Sequence, residues 1–145
     1  MKLSTKSRYG TRALVDLAHH SQTGHVSLKS IAERQNISPK YLEQEFATLR
    51  RAGLVKSIKG AQGGYMLGRP AREIHVDEII RALEGDLLIV DEMSAQDESP
   101  IRKLLHEVVY EPINREIESC MSRVTLEDLV RQYEEEQMGK LMYYI

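Results

Sequence analysis

The sequence predicts a mainly α fold carrying one small β-hairpin, and three observations predict it. The first is the stretch from Ser38 to Arg51, where Ser38 and Pro39 supply an N-cap and a first-turn proline ahead of an amphipathic run. With Leu42 at the origin of a helical wheel, Phe46 and Leu49 fall within about 40° of it, so one apolar stripe seats this helix on a core. The second is a short capped helix just before it, joined by only two residues. Two short helices connected so tightly form a helix-turn-helix, although any αα-hairpin leaves a similar trace. The third is a Gly-rich turn between two short apolar runs just after it, the pattern of a hairpin wing. The fold class is therefore a winged helix-turn-helix over residues 1–85, then an acidic loop over 86–99, then a dimerisation helix and C-terminal tail over 100–145.

Each element has its own signals. Ser4 caps a first helix in which Ala13, Leu14, Leu17 and Ala18 recur at helical spacing, ending before Gln22-Thr23-Gly24, with basic Lys2, Lys6 and Arg8 left outside. Ser27 caps the second, whose Leu28, Ile31 and Ala32 face inward and which ends near Gln35-Asn36. On the outer side of the Ser38–Arg51 helix, Lys40, Gln44, Ala47 and Arg51 line up, flanked by Tyr41, Glu43 and Thr48. Small Ala47 among long hydrogen-bonding side chains lets a surface come close, so this face reads as one that meets a base edge. Gly53 stops the helix; Leu54 to Lys59 is a strand, residues 60–64 a turn, and Tyr65 to Leu67 the return. The wing tip carries Lys59 and Gln62 among Gly60, Gly63 and Gly64. These glycines serve a turn needing positive φ and leave the backbone free to approach a phosphate; they lack the Lys-Ser/Thr ending of a nucleotide-binding loop.

Val76, Ile79, Ile80 and Leu83 form another helical stripe closed by Gly85. Ser99-Pro100 repeats the cap-plus-proline start and opens a helix with Ile101, Leu104, Leu105, Val108 and Val109 on one side. That face is too apolar for water, so it pairs with its twin in a homodimer or packs back on its own domain. Pro112 must kink or interrupt the helix, which Ile113 and Ile117 continue. Thr125 to Asp128 is a capping-box start for a last short helix, after which an acidic run leads to Leu141-Met142-Tyr143-Tyr144-Ile145.

Charge separates the two halves. Residues 1–72 hold 13 Lys+Arg against 4 Asp+Glu, while residues 73–145 hold 7 against 18, so the overall −2 hides a cationic half and an anionic half. The first suits a polyanion; the second is repelled by nucleic acid and suits dimerisation or another protein. No apolar run reaches the ~20 residues that cross a bilayer, and Met1-Lys2-Leu3 leads directly into a capped helix rather than a signal-peptide core, so the expectation is a cytoplasmic protein without membrane contact. Cys120 is the only cysteine, which excludes an intrachain disulfide; in a helical segment it reads as a packed small side chain, with redox sensing as the alternative. His19, His20 and His25 lack companions at zinc spacing, so no metal and no cofactor is expected. No nucleophile with a base and orienter emerges either, so the chain is not read as an enzyme. A winged-helix protein-interaction adaptor is the rival from another class.

In order and spacing, SLKSIAERQNIS, YLEQ, LRRAGLVKSIKGAQGGYMLGRP and TLEDL resemble the Rrf-two family of bacterial winged-helix transcription regulators, over nearly the whole chain. The resemblance implies a homodimer whose helix-turn-helices enter successive major grooves of a roughly palindromic double-stranded DNA operator while the wings reach the minor groove. Carried over, Ser38, Lys40, Tyr41, Glu43 and Gln44 would read bases and phosphates, and Lys59 with Gly63, Gly64 and Tyr65 would make the wing contacts. Lys2, Lys6, Arg8, Ser27, Pro39, Arg51 and Gln62 complete the expected DNA-binding set. Many members carry arginine where Lys59 stands; lysine holds phosphate but lacks the planar fork. Several members hold an iron–sulfur cluster on three cysteines before the dimer helix; here residues 86–100 contain none. Within the family the sequence is most similar to the cysteine-metabolism repressors, which implies signalling through cysteine synthase (O-acetylserine sulfhydrylase). The tail resembles the peptide with which serine acetyltransferase plugs that enzyme, so Met142, Tyr143, Tyr144 and Ile145 either bind cysteine synthase or fold back onto the dimer.

Overall fold

A computed structural model describes residues 2–89 and 99–144. Helix α1 (Thr5–His20) starts where Ser4 leaves extended backbone and accepts the Ser7 N–H, and it buries Ala13, Leu14, Leu17 and Ala18. Ser27 caps α2 (Leu28–Gln35) in the same way, and Ser38 caps α3 (Pro39–Arg51) with Pro39 in its first turn. Between them Asn36 takes φ 54° and ψ 50°, the left-handed conformation that asparagine tolerates better than most residues, and buried Ile37 anchors the turn.

The expected hairpin is present, one residue shorter at each end of its first strand. Strands β1 (Val55–Ile58) and β2 (Gly64–Leu67) run antiparallel, with Val55 opposite Leu67 and Ile58 opposite Gly64. Helix α4 (Val76–Glu84) follows, closed by Gly85 at φ 87°. The core beneath these elements is built from α1, α2, α3 and α4, with Phe46, Leu14, Leu17, Leu42, Leu49 and Ile79 fully buried. Each such side chain contributes roughly 1.5–3 kcal/mol by leaving water.

Beyond residue 85 the structure departs from the expected plan at the Ser99 cap and in the length of the last helix, while the interruption expected at Pro112 is present. Of the acidic loop, residues 90–98 lie outside the described residues, as does Ile145. Helix α5 (Pro100–Leu105) begins at Ser99 without a capping bond from its side chain. The interruption expected at Pro112 takes the form of a π turn over His106–Tyr110, after which α6 (Glu111–Arg123) continues. Pro112 has no N–H and its ring crowds the carbonyl four residues back; the wider turn, with Glu111 N–H bonded to the His106 carbonyl, makes room. Finally, the last helix is long: α7 (Leu126–Tyr143) runs through the acidic run into the tail, because nothing between Glu127 and Met142 except Gly139 opposes helix.

The first turn of α7 also belongs to the core. Leu126 and Val130 are buried in it, Leu126 N–H donates to the Ile74 carbonyl at 2.8 Å, and Val76 N–H donates to the Val124 carbonyl at 2.9 Å. The core therefore crosses the expected boundary at residue 85 and takes its last two side chains from α7. From Arg131 to Tyr144, by contrast, every residue is exposed.

Candidate nucleic-acid interface

Helix α3 is held by its inner face, and α2 before it is tied to α1 by a brace. Asp16, 6% exposed on α1, accepts from the Arg34 guanidinium at 2.7, 3.0 and 3.2 Å and from the Gln35 amide at 2.8 Å. Arg12 reaches the Gln35 carbonyl at 2.5 Å. The end of α2 is thus tied to α1, and the carboxylate bond raises the Arg34 pKa further. The sequence carries no local sign of this brace, since its partners are brought together only by packing.

Outward from that seat, Lys40, Glu43, Gln44 and Arg51 are exposed, with Ala47 and Thr48 half-buried between them. Thr48 Oγ1 donates back to the Gln44 carbonyl at 3.2 Å and accepts from Arg51 at 3.2 Å, so the outer row is tethered along the helix. Ser38 and Pro39 are exposed at its start. One cleft of about 450 Å³ runs along one flank, lined by Lys6, Tyr41, Gln44, Ala47 and Arg51. A second, of about 480 Å³, separates Leu28 and Glu43 from the wing residues Ser57–Gly60 and Gly63–Tyr65. Helix α3 therefore stands as a ridge between two hollows, a shape that can enter a groove.

Several expected site residues also support the surface. Tyr41 is half-buried, its ring packed edge-on against Tyr9 at 5.8 Å, and burial, then the Glu45 charge, push its phenol up. Tyr65, expected among the wing contacts, lies edge-on to Phe46 at 4.9 Å, and its backbone pairs both ways with Val26 at 2.8 and 2.9 Å. The glycines divide. Gly60 takes φ 115° and serves the turn, as expected. Gly63 and Gly64 do not need positive φ: a Cβ on Gly63 would meet the Ile58 carbonyl oxygen at 2.3 Å, and one on Gly64 the Val26 carbonyl oxygen at 2.3 Å. Their room is taken by this chain's own backbone. Lys59 and Gln62 remain exposed at the tip, with the Gln62 carbonyl accepting from His25 at 2.5 Å. Lys2, Lys6, Arg8 and Ser27 are exposed too, Ser27 serving as the α2 cap.

Sequence reasoning misses one residue of α3. Glu45 is 2% exposed on the inner face, its Oε2 has no hydrogen-bond partner, and burial pushes its carboxyl up, opposed by Lys6. The wheel contains the signal, for Glu45 lies about 60° from Leu42, within the apolar stripe.

Elsewhere, Cys120 is exposed on α6 rather than packed. Among the described residues no group of three His, Cys, Asp or Glu side chains can hold a metal ion, and no helix is long and apolar enough to cross a membrane. His19 and His20 are occupied with Glu134 and the Asp16 carbonyl at 3.0 and 2.9 Å. Met142, Tyr143 and Tyr144 of the tail are exposed, as are Ile101, Leu104, Leu105, Val108 and Val109.

Residues 3–132 match the family model Rrf2, described as an iron-dependent transcriptional regulator. The HTH-type transcriptional regulator CymR of Bacillus subtilis (strain 168) is 42% identical over 143 residues, covering 99% of each chain. The solved structure of CymR, the global cysteine regulator of B. subtilis, superposes with a TM-score of 0.76 at 42% identity, covering 91% of this chain and 98% of that one. T. potens IscR does so with a TM-score of 0.76 at 47% identity, covering 94% and 91%. The iron in the family's description does not find its donors here: a thiolate-held cluster needs several cysteines, and the sequence has one, on the outside of α6. The winged helix-turn-helix, its exposed α3 and these relatives together place the chain in the Rrf2 family of transcriptional regulators, a family of regulators rather than enzymes.

Proposed function

We propose that the chain is a homodimeric, sequence-specific DNA-binding repressor of sulfur and cysteine metabolism genes, signalled through cysteine synthase. The observation that carries the DNA reading is α3: a ridge with Lys40, Gln44 and Arg51 exposed, following an α2 that Asp16 ties to α1, and flanked by the Lys59 wing tip. In this reading Gln44 and Lys40 read base edges, Ser38 and Arg51 hold phosphates, and Lys2, Lys6 and Arg8 extend the cationic track.

Dimerisation is supported by matched surfaces. Ile101, Leu104 and Val108 stand 69%, 58% and 63% exposed on α5 and the π turn. An apolar cleft of about 720 Å³ between α1, α4 and α7, lined by Leu3, Tyr9, Val15, Val76, Ile80 and Tyr133, can receive that ridge from a second copy. A reciprocal exchange closes as a two-fold dimer and spaces two α3 helices for a palindromic site.

The regulatory reading is favoured by the 42% identity to CymR, the global cysteine regulator of B. subtilis. The tail supports the partner: exposed Met142, Tyr143 and Tyr144 end a helix that projects from the core. The test is duplex binding to promoter fragments of cysteine-synthesis and sulfur-uptake genes against random duplex, together with capture of purified cysteine synthase with and without O-acetylserine. Equal affinity for all duplexes removes the operator reading. Calorimetry with Ile145 deleted decides the tail: unchanged affinity for cysteine synthase ends it. A second reading, an Rrf2 regulator of another pathway, is favoured by the 47% identity to an IscR structure, and genome-wide mapping of bound promoters separates the two.

A further inference from the structure

Glu84 is the last residue of α4, and its carboxylate lies against the start of α1. A single oxygen, Oε2, accepts from the Ser4 backbone N–H at 3.2 Å, from Ser4 Oγ at 2.5 Å and from Ser7 Oγ. Ser7 is fully buried, so one of the three donors is shielded from water. A carboxylate at the end of its own helix opposes that helix's dipole; placed at the start of the 16-residue α1 it is favoured instead. A second contact locks the same pair of elements one turn along: a Cβ on Gly10 would meet Leu83 Cδ1 at 2.6 Å, so α1 and α4 touch through a glycine.

We propose that Glu84 is a positioning residue for DNA binding: through Ser4 and Ser7 it fixes the start of α1, and with it the cationic Lys2, Lys6 and Arg8, against the end of α4. The proposal rests on the DNA-binding reading above.

The experiment measures affinity of the full chain for operator and for random duplex across salt, for wild type, Lys6→Ala, Glu84→Gln and the milder Ser7→Ala. Removing the negative charge of Glu84 would by field alone tighten binding. Positioning gives the opposite sign: Glu84→Gln weakens both duplexes several-fold and by similar factors, and its salt slope falls by ~0.9 for each phosphate no longer neutralised. Ser7→Ala, near-isosteric and leaving the Ser4 cap intact, shifts slope and affinity in the same direction by less. A purely structural role lowers the competent fraction without altering the slope, so weaker binding at an unchanged slope overturns the proposal. So does tighter or unchanged binding. A slope that Lys6→Ala flattens but neither Glu84→Gln nor Ser7→Ala touches overturns the role of Glu84 alone. A slope that Lys6→Ala leaves untouched removes the α1 contacts and the proposal with them, and a wild type that binds no duplex removes the DNA reading as well.

Discussion

The same substitution, glycine to alanine, should act with opposite sign at two places in this chain. At Gly64 the added methyl would sit 2.3 Å from the Val26 carbonyl oxygen, 2.6 Å from its carbon and 3.0 Å from Ser27 N. All three are backbone atoms, and Val26 is bonded to Tyr65 in both directions at 2.8 and 2.9 Å. Relief requires the wing to leave the α2 cap, and breaking two backbone bonds costs about 2 kcal/mol. Alanine's narrower unfolded ensemble returns about 0.4–1 kcal/mol, leaving a net loss of about 1–2 kcal/mol. For a chain of this size the thermal midpoint then drops by roughly 3–8 °C. At Gly139, inside α7, nothing lies within 4 Å, so alanine should stabilise the helix by up to about 1 kcal/mol. Urea unfolding at one fixed protein concentration reads both. Gly64→Ala should also weaken operator binding, because the wing no longer keeps its place beside α3. A Gly64→Ala protein as stable as wild type would refute the close-packing account of this glycine, and with it the claim that the wing is set by the Val26 contact.

Gln44→Ala should cost about 1–3 kcal/mol at one base position of the operator, whereas Lys59→Ala should weaken all duplexes about evenly; equal losses on operator and random duplex for Gln44→Ala count against base reading. Glu45→Gln should stabilise the fold at neutral pH and flatten its acid dependence. With the folded carboxyl raised above its unfolded value, the unfolded state gives up this proton first as pH rises, so wild-type stability falls through the usual glutamate range and above it. Parallel stability–pH curves for the two proteins would show that Oε2 is better solvated than its burial indicates.

What is legible in the sequence is whatever local chemistry decides. Ser4, Ser27, Ser38 and Thr125 each accept a first-turn N–H as their spacing indicates, because a cap needs only its own next three residues. The α3 stripe is legible for the same reason, and its exposed row follows by subtraction. What stays hidden is tertiary. Nothing local tells that Gly64 abuts Val26 or that Tyr65 also packs on Phe46. Cys120 reads as packed because it lies in a helix, yet α6 offers it to solvent. The length of α7 is hidden by composition: Glu134 to Glu136 read as a polar linker, although glutamate is a good helix former and Glu134 is held by Gln22 and His19 at 3.0 Å.

The charge division in the sequence corresponds to a division in how each half is stabilised. The cationic half fills its own core, down to Phe46 and Ile31 with no exposure at all. In the anionic half, among the described residues, Ile74 and α4 are joined in that core only by Leu126 and Val130 of α7, while Leu104, Val108, Leu141 and Met142 stand more than half exposed. A helix of 18 residues, most of them in water, is marginal alone, and its persistence depends on tertiary or partner contacts. The arm should therefore draw its stability from association, which makes its melting depend on protein concentration, and the core whose α1–α4 cleft receives the partner's ridge should share that dependence. Leu104→Asp tests the coupling: it buries no charge in a single copy but places one in the proposed contact. Sedimentation should then show monomer, and the helical signal that the wild type gives up on dilution should already be missing in the variant. A variant that stays dimeric, with wild-type melting at every concentration, would mean that the Leu104 face lies outside the interface.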